Sequence, residues 1–321
     1  MLTTISHKAM AAEFAVLLAP SDAALMDAAL GALESLDEIE QSLTVYRPDS
    51  EISRINAAAG ESPVVVSEST FGLIARALHW SRESEGAFDI TAGPLIDAWG
   101  FTQRRGRKPS ESEIRLAMDR MGYQHVHLDD ANQSVRLDRP GMQLNLGAIG
   151  KGFALDTLAD RLTECGLKHF LIHGGGSSIL AKGNQSSDAR GWAVGLSHPT
   201  KPTRRVAGIR LYDQSLSTSG SGKQYFHFRG QRYGHVIDPR TGYPSDHWLS
   251  LTAVATNATD AEALSTAYFL QTQEQIASRY SEPEPTMDLP SLVGMLEGER
   301  QEAVRTLTYG DFHWVDAPPD L

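Results

Sequence analysis

The segment from 234 to 244, GHVIDPRTGYP, holds the densest group of chemically active side chains in the sequence. A titratable base, a carboxylate and a guanidinium lie within seven residues, at His235, Asp238 and Arg240. Imidazole can accept or release a proton near neutral pH, so this spacing suits general acid–base chemistry. The same Asp-Pro-Arg-Thr-Gly order is typical of a tight turn. The segment alone therefore leaves open a proton-transfer site or a structural loop.

A second segment, GAIGKG at 147–152, could meet a phosphate group. Glycines allow the backbone to approach a phosphate closely, and the Lys151 ammonium can contact one directly. The segment is not a P-loop, because the GxxxxGK[ST] spacing is absent and Gly152 follows the lysine. A turn from strand to helix also often carries glycines for structural reasons. Phosphate binding and a plain turn are equally open on these residues alone.

Two oxygen-bearing side chains in DAEALSTA, at 260–267, lie four residues apart. On a helix Glu262 and Thr266 would share one face. A carboxylate and a hydroxyl so placed suit a hard cation such as Mg²⁺, although an acidic residue near a helix start is also favourable without a metal. The GGGSS run at 174–178 leaves a similar choice, between a loop that contacts a ligand and a loop that contacts none.

Composition limits the kinds of partner that the chain can bind. It has 321 residues, 41% of them hydrophobic, and a formal net charge of -11, which suits a globular protein with a large core. We expect no nucleic-acid partner, because phosphate backbones require a basic surface. Cys165 is the sole cysteine, so an internal disulfide and a cysteine-rich metal site are excluded. We expect this residue to be a small buried hydrophobe.

No targeting or membrane segment is visible in the sequence as given. The N-terminus lacks a basic start followed by an apolar run, and no stretch of about 18 apolar residues occurs. We therefore expect no transmembrane segment. The expected location is cytoplasmic for the chain as given, and periplasmic for a chain whose N-terminus has been trimmed.

Hydrophobic periodicity and capping residues predict the elements that position these segments. Predicted helices are 21–43 with Ser21 as a cap, 67–85 stopping at Gly86, 110–122 with a Ser110–Glu113 capping box, a helix from about 152 that ends at Gly166, and 260–270. Predicted strands are 13–18, 126–128 paired with 134–137, about 144–146, 170–172, 192–196, 206–211, 225–228 and 249–255. A loop is predicted at 281–285. Without a strict βαβ period, this order favours an α+β fold of mainly antiparallel sheets with packed helices.

Together and in order, these segments resemble the ApbE family, the FAD:protein FMN transferases. The resemblance runs from about Met10 to Leu270, and its most specific blocks are HVIDPRTG and FDITAGPL. The other matching blocks are MAAEF, YRPDSEISRIN, LNLGAIGKGFALD, LSTSG and EALSTA. Residues from about 272 to 321 match poorly. The resemblance implies a T-fold-related α+β unit over 1–321, as a single domain or two intimate lobes, with FAD in a central cleft.

The resemblance also assigns roles to residues at matching positions. His235 would be the catalytic histidine, and His235 or Asp238 could accept or orient the proton of an attacking hydroxyl. The positions that contact FAD would be Met10, Tyr46, Ala87, Phe88, Asp89, Asn145, Lys151 and Ile237. The Mg²⁺ ligands would be the Ala148 backbone carbonyl, Glu262 and Thr266. FAD is thus the expected substrate, and Mg²⁺ the expected metal cofactor.

The implied reaction moves the FMN half of FAD to a threonine hydroxyl of an acceptor protein and releases AMP. Negative charge builds on the diphosphate, where a metal and Lys151 can stabilise it. In-line positioning of the hydroxyl and the phosphorus supplies most of the remaining rate enhancement. Two alternatives use the same residues: hydrolysis of FAD to FMN and AMP by water, and a non-catalytic FAD-binding protein.

Several positions depart from the family pattern. Glu262 stands where aspartate is usual, and the extra methylene moves its oxygens outward by roughly one bond length, which Mg²⁺ tolerates poorly. Asn145 replaces a usual aspartate, and Met10-Ala11-Ala12 replaces Met-Gly-Thr. We therefore expect FAD binding to be better retained than transfer. We also expect the metal preference to shift toward a larger ion such as Mn²⁺ or Ca²⁺.

Overall fold

The structure is a computed structural model that describes residues 2–103, 105–222, 225–282, 289–298 and 303–319. The chain folds as two compact units. Unit 1 comprises Met1–Asp37, Ile149–Gly222 and His247–Leu321, and unit 2 comprises Glu38–Ala148 and Lys223–Asp246. Both units combine helices with antiparallel strands, which confirms the predicted α+β class.

The helices and strands of the described residues are numbered here in chain order. The helices are α1 Met26–Glu34, α2 Leu36–Leu43, α3 Glu51–Ala57, α4 Glu68–Glu83, α5 Gly93–Ala98, α6 Glu111–Met118, α7 Gly150–Glu164, α8 Ala258–Phe269 and α9 Gln273–Tyr280. The strands are β1 Thr3–Ala9, β2 Ala12–Leu18, β3 Val64–Val65, β4 Val126–Asp129, β5 Ser134–Leu137, β6 Phe170–Gly174, β7 Ser178–Lys182, β8 Trp192–His198, β9 Lys201–Leu211, β10 Ser215–Gly220, β11 Tyr225–Phe228, β12 Gln231–Gly234, β13 Ser250–Ala255, β14 Ser291–Glu297, β15 Val304–Tyr309 and β16 Trp314–Asp316. Short 3₁₀ helices cover Pro20–Leu25 and Tyr123–His125.

An eight-stranded antiparallel sheet forms the centre of unit 1, in the order β1-β2-β6-β7-β10-β13-β14-β15. One face is covered by α8, which packs on β7, β10 and β13, and by α7. Side chains alternate between the faces of a strand, so Leu216 points away from the side on which Ser219 meets α8. Leu216 belongs to an apolar core shared with the small sheet β16-β9-β8, whose strand β8 buries every second residue.

Helices α7 and α8 approach each other closely near their N-terminal ends. A Cβ built on Gly152 would lie 2.2 Å from the Ala258 carbonyl oxygen, so the crossing has room only for glycine. The Asp156 carboxylate of α7 accepts hydrogen bonds from the backbone N–H groups of Ala258 and Thr259, each at 2.8 Å. Burial raises the pKa of Asp156. A residue of α7 therefore caps the first turn of α8.

Unit 2 is organised around the fully buried ring of Trp99. Its indole N–H donates to the Gly242 carbonyl at 2.9 Å, which ties the turn at 242 to the core. Apolar residues of α5, α6 and β12 pack around the ring, and the Tyr233 ring lies 5.4 Å from it. The small sheet β3-β5-β4 packs against α3 elsewhere in the unit.

The predictions that rest on a few neighbouring residues, which are the helix caps, the helix ends and one hairpin, are confirmed. Ser67 caps α4, and Ser110 with Glu113 forms a capping box at the start of α6. The glycines after two predicted helices have positive φ, 78° at Gly86 and 92° at Gly166. The hairpin of β4 and β5 pairs where predicted. These features depend on local backbone hydrogen bonds, so their residue types suffice to predict them.

The predicted single helix over 21–43 is wrong. The chain forms the 3₁₀ turn Pro20–Leu25, then α1, and breaks before α2 at Ser35, whose hydroxyl donates to the Ala32 carbonyl at 2.6 Å. Ser21 bonds the neighbouring Asp22 side chain at 2.9 Å instead of capping a helix. The hydroxyl at each of these serines competes for local bonds and favours a break.

Two further predictions in unit 1 and unit 2 are also wrong. Cys165 is exposed, because it lies at the C-terminal end of α7 and not on its buried face. Residues 144–146 form no strand; the Leu144 backbone instead exchanges hydrogen bonds with the Asn56 side chain. The predicted loop at 281–285 lies partly outside the described residues. No helix in the described part of the chain is long and apolar enough to cross a bilayer.

Gly152→Ala tests the crossing of α7 and α8. The added methyl group must displace the Ala258 carbonyl, and overpacking of this kind costs about 1–3 kcal/mol of unfolding free energy. Gly31→Ala in α1 is the matched control, because nothing lies within 4 Å of a Cβ there. The control should gain about 0.5–1 kcal/mol from the better helix former. Urea unfolding measures both, and equal stability of the two variants would contradict the proposed crowding.

Candidate active site

The Glu262 carboxylate of α8 lies at the N-terminus of α7 and is almost fully buried, at 4% exposure. One carboxylate oxygen accepts a bond from the Lys151 ammonium. The other accepts one from the Gly152 backbone N–H at 2.6 Å. This N–H belongs to the first turn of α7, where helix backbone donors lack partners and the helix dipole favours an anion. The two predicted site residues Lys151 and Glu262 are therefore in direct contact.

Hydroxyl groups lie next to the backbone carbonyl of Glu262 on the same helix. Thr266 Oγ1 donates to the Glu262 backbone carbonyl at 3.3 Å, and Ser265 Oγ donates to the same carbonyl at 2.9 Å. Ser219 of β10 approaches both, with Oγ–Oγ distances of 3.0 Å to Ser265 and 3.1 Å to Thr266. Ser219 was not predicted as a site residue. The signal that could have identified it is its place in the LSTSG block, one of the segments that resemble the ApbE family.

The donor atoms around Glu262 suit a hard, oxygen-binding cation. They are a carboxylate and the hydroxyl oxygens of Thr266 and Ser219, the ligand chemistry that Mg²⁺ prefers. Within the described ranges, no group of three or more His, Cys, Asp and Glu side chains could hold a metal ion. A cation here would thus depend on one carboxylate and neutral oxygens. It would also share that carboxylate with Lys151.

Met10 lies in the two-residue turn that joins β1 and β2. Met10 and Ala11 both have positive φ, 52° and 56°, and the flanking residues Ala9 and Ala12 pair across the hairpin. A turn with two left-handed residues normally carries asparagine or glycine. Side chains with a Cβ are strained in this region, so Ala11 holds the turn at an energetic cost. The Met10 side chain is half-buried.

The segment 87–89 of unit 2 lies inside the fold. The side chains of Ala87 and Phe88 are buried, so a ligand could meet these residues through their backbone atoms. The Asp89 carboxylate accepts bonds from Thr91, through N–H at 2.8 Å and hydroxyl at 2.7 Å, and from the Tyr123 N–H at 3.1 Å. Burial raises the pKa of Asp89, while these bonds lower it. The carboxylate thus holds the turn together.

Asn145 and Ala148 belong to the loop that leads toward α7. The Asn145 side-chain oxygen accepts a bond from the Gly147 N–H at 2.9 Å, and its own backbone N–H donates to the Ile90 carbonyl at 2.7 Å. The second bond places Asn145 beside the segment that contains Asp89. Ala148 is half-buried at the end of this loop.

The loop after β12 is held by an internal ion pair between Asp238 and Arg240. The two side chains form a bidentate contact, 2.9 Å to Nε and 2.8 Å to Nη2, and the Arg240 backbone N–H adds a third bond at 2.9 Å. The hydrogen bond to Asp238 raises the pKa of the Arg240 guanidinium. Gly242, at φ 80°, closes the turn by donating its N–H to the Asp238 carbonyl at 2.8 Å. Asp238 is therefore engaged in shaping the loop.

His235 starts this loop and is half-buried, with its ring 6.4 Å from the Phe101 ring. Ile237 is buried in the apolar core around Trp99. Tyr46 lies in the loop after α2, is 71% exposed, and donates its hydroxyl to the Thr102 carbonyl at 3.4 Å. Of the predicted site residues in unit 2, the structure thus joins His235, Ile237 and Asp238 in one loop.

Comparisons with known proteins agree with this arrangement of segments. The family model of the ApbE family matches residues 1–288. A FAD:protein FMN transferase of Treponema pallidum is 36% identical over 249 residues, 73% of this chain and 68% of that protein. One of Klebsiella pneumoniae is 36% identical over 232 residues, 72% of this chain and 71% of that protein.

Solved structures are similar over nearly the whole chain. The ApbE protein of Thermotoga maritima superposes with a TM-score of 0.84 at 28% identity, covering 95% of this chain and 96% of its own. The flavinyl transferase ApbE of Pseudomonas stutzeri, in its apo form, gives 0.79 at 26% identity, covering 96% and 95%.

Glu262→Gln tests the contact at the α7 N-terminus. Loss of the charge leaves Lys151 without its carboxylate, and removing one partner of a buried pair costs about 3–5 kcal/mol. The Lys151 side chain is 24% exposed, so water screens part of that loss and we expect about 1–3 kcal/mol. A double-mutant cycle with Lys151→Met, followed by urea unfolding, measures the coupling. Strictly additive effects would mean that the two side chains do not stabilise each other.

Proposed function

The chain belongs to the ApbE family, and we propose that it transfers the FMN part of FAD to a threonine hydroxyl of an acceptor protein, with release of AMP. It is an enzyme of the transferase class, like the relatives named FAD:protein FMN transferase. The observation that carries the proposal is the contact of Lys151 and the α7 N-terminus with the Glu262 carboxylate. An ammonium group, helix N–H donors and oxygen ligands are what a diphosphate and its metal require.

The proposed step exchanges one phosphorus–oxygen bond for another. The acceptor hydroxyl oxygen attacks the phosphorus on the FMN side of the diphosphate and forms a phosphate ester. The bond between that phosphorus and the bridging oxygen breaks, and AMP leaves with this oxygen. The hydroxyl proton passes to a base of the enzyme, so that no charge builds on the attacking oxygen. Most of the rate enhancement in such transfers comes from in-line positioning and charge stabilisation.

Lys151 and the first turn of α7 are proposed to stabilise the charge that grows on the leaving phosphate. A fixed ammonium and oriented backbone N–H groups act strongly in a site shielded from water. Glu262 and Thr266 would hold the metal, with the Ala148 carbonyl as the third ligand that the resemblance implies. When bound, Mg²⁺ supplies Lewis-acid stabilisation of phosphate charge. Glu262 would then also keep Lys151 in place, because it contacts the ammonium directly.

His235 is the proposed base that accepts the proton of the attacking hydroxyl. Imidazole suits this role because it changes protonation near neutral pH. Asp238 is proposed as a positioning residue, since its carboxylate oxygens are bound by Arg240. The ion pair would fix the loop that carries His235, and the buried Ile237 side chain would anchor the same loop in the core of unit 2.

His235→Ala tests the proposed base. We expect the variant to bind FAD normally and to lose AMP release by at least about 100-fold, because general-base catalysis contributes about 10²–10⁴-fold. His127→Ala is the control, since His127 is an exposed histidine of the β4–β5 hairpin. FAD binding is followed by flavin fluorescence and AMP by chromatography. Normal turnover by the His235 variant would remove this residue from the mechanism.

The same assay with candidate acceptor proteins distinguishes transfer from its alternatives. AMP together with a fluorescent, covalently flavinylated protein band is the expected result. AMP without a labelled protein would indicate that water is the nucleophile, and hence FAD pyrophosphatase activity. Tight FAD binding without any AMP would indicate a carrier protein and would overturn the proposed transfer.

Metal preference tests the proposed role of Glu262. Because glutamate reaches farther than aspartate, we expect AMP release to be as fast with Mn²⁺ or Ca²⁺ as with Mg²⁺, and to be lost in EDTA. Glu262→Asp is the matched variant, and it should shift the preference toward Mg²⁺. AMP release measured across the three metals decides the question. A strict Mg²⁺ optimum in the unmodified protein would contradict the expected shift.

A further inference from the structure

The β11–β12 hairpin and the loop packed on it form a basic, aromatic surface in unit 2. Its members, called here the basic hairpin surface, are Arg105, Lys108, Phe228 and Arg229. A Cβ built on Gly106 would lie 2.4 Å from the Phe226 ring, so the loop packs directly on the hairpin. The Lys108 ammonium lies 5.9 Å from the centre of the Phe228 ring and 5.5 Å from that of Tyr233.

A partly exposed ring and two cations lie together on this surface. Phe228 is 39% exposed. The Arg229 guanidinium lies 5.4 Å from the centre of the Phe228 ring, which the Lys108 ammonium also approaches. These cation–π contacts hold the two side chains in place without removing their charge.

Most charge on this surface is not balanced within the protein. Over the part of the chain that the structure describes, Arg105, Lys108 and Arg229 form no ion pair with a carboxylate. Arg107 differs, because it contacts Glu113 at 2.8 Å. Residues 101–110 carry four basic and no acidic side chains, and residues 223–235 carry three and none, in a chain of net charge -11. An acidic partner would be repelled by the protein as a whole and attracted to this surface.

The loop packed on the hairpin leads to the proposed base. The ring of Phe101, which begins the segment 101–110, lies 5.9 Å from the Phe226 ring and 6.4 Å from the His235 ring. A peptide bound along this loop and the hairpin can therefore reach His235. Exposed aromatic side chains next to arginine are also the residue types that anchor protein partners.

We propose that the basic hairpin surface binds an acidic segment of the acceptor protein next to the hydroxyl that receives FMN. The inference rests on the proposed function, since only a protein acceptor must bring a hydroxyl to His235. The cations would select aspartate and glutamate, and Phe228 would supply apolar contact. Nucleic acid is a poorer fit, because the net charge of -11 opposes a polyanion beyond this small surface.

A peptide pair tests the surface directly. The probe is a fluorescein-labelled peptide with one threonine flanked by aspartates, and its companion carries asparagine at each aspartate. Fluorescence anisotropy without FAD measures the Kd of each at low and high salt. We expect the acidic peptide to bind more tightly than its companion, and its binding to weaken with salt.

Charge reversal locates the binding site. Lys108→Glu with Arg229→Glu should raise the Kd of the acidic peptide about tenfold or more. Lys168→Glu with Arg204→Glu changes the net charge equally at exposed positions of unit 1 and should leave the Kd near that of the unmodified protein. Lys108→Met with Arg229→Met keeps the packing on Phe228 and removes only charge. This variant should also raise the Kd of the acidic peptide, and it replaces the double Glu variant if that one fails to fold.

Three results would overturn the inference. The first is a Kd for the acidic peptide that is the same in the hairpin variants and the unmodified protein. The second is a rise in this Kd in the unit 1 control that equals the rise in the hairpin variants. The third is equal affinity for the acidic peptide and its asparagine companion. Hairpin-dependent binding of phosphatidylglycerol vesicles or an RNA oligonucleotide, without binding of the acidic peptide, would also overturn it. AMP release from FAD by the unmodified protein is measured separately. Its absence would contradict the proposed function, while the peptide Kd still decides on the surface.

Discussion

The burial of the Glu262 carboxylate at the start of α7 is the interaction on which the candidate site of unit 1 depends. It accepts the Gly152 N–H and contacts the Lys151 ammonium. Asp156 of α7 does the converse for α8, by accepting the N–H groups of Ala258 and Thr259. Each helix thus caps the other with a carboxylate. The reciprocal caps and the glycine at the crossing set the distance between Lys151 and the hydroxyls of α8.

Carboxylates also accept backbone N–H groups at turns elsewhere in the protein. Asp22 accepts the N–H groups of Lys168 and His169 at 2.6 and 2.8 Å, and Asp89 accepts those of Thr91 and Tyr123. A buried carboxylate is stable only when its oxygens have donors. An acidic residue in a segment that resembles an active site is therefore not automatically a reactive one. Asp89 and Asp238 are engaged by their own loops.

Charge is distributed in a way that suits an anionic substrate on an acidic protein. The net charge of -11 repels diphosphates and acidic peptides in general. Positive groups are nevertheless present locally, at Lys151 and on the basic hairpin surface. Such local cations on an acidic protein direct the encounters of anionic partners to those places. Selectivity for the acceptor and retention of FAD can therefore rest on different residues.

Features that depend on neighbouring residues could be predicted before the fold was known. The caps at Ser67 and Ser110, and the four-residue spacing that puts Glu262 and Thr266 on one helix face, follow from local backbone geometry. The contact of Lys151 with Glu262, 111 positions away, and that of Ser219 with Thr266, 47 positions away, could be learned only from the folded chain. Sheet order and helix crossing bring these side chains together, and both are set by packing of distant segments, which no local pattern encodes.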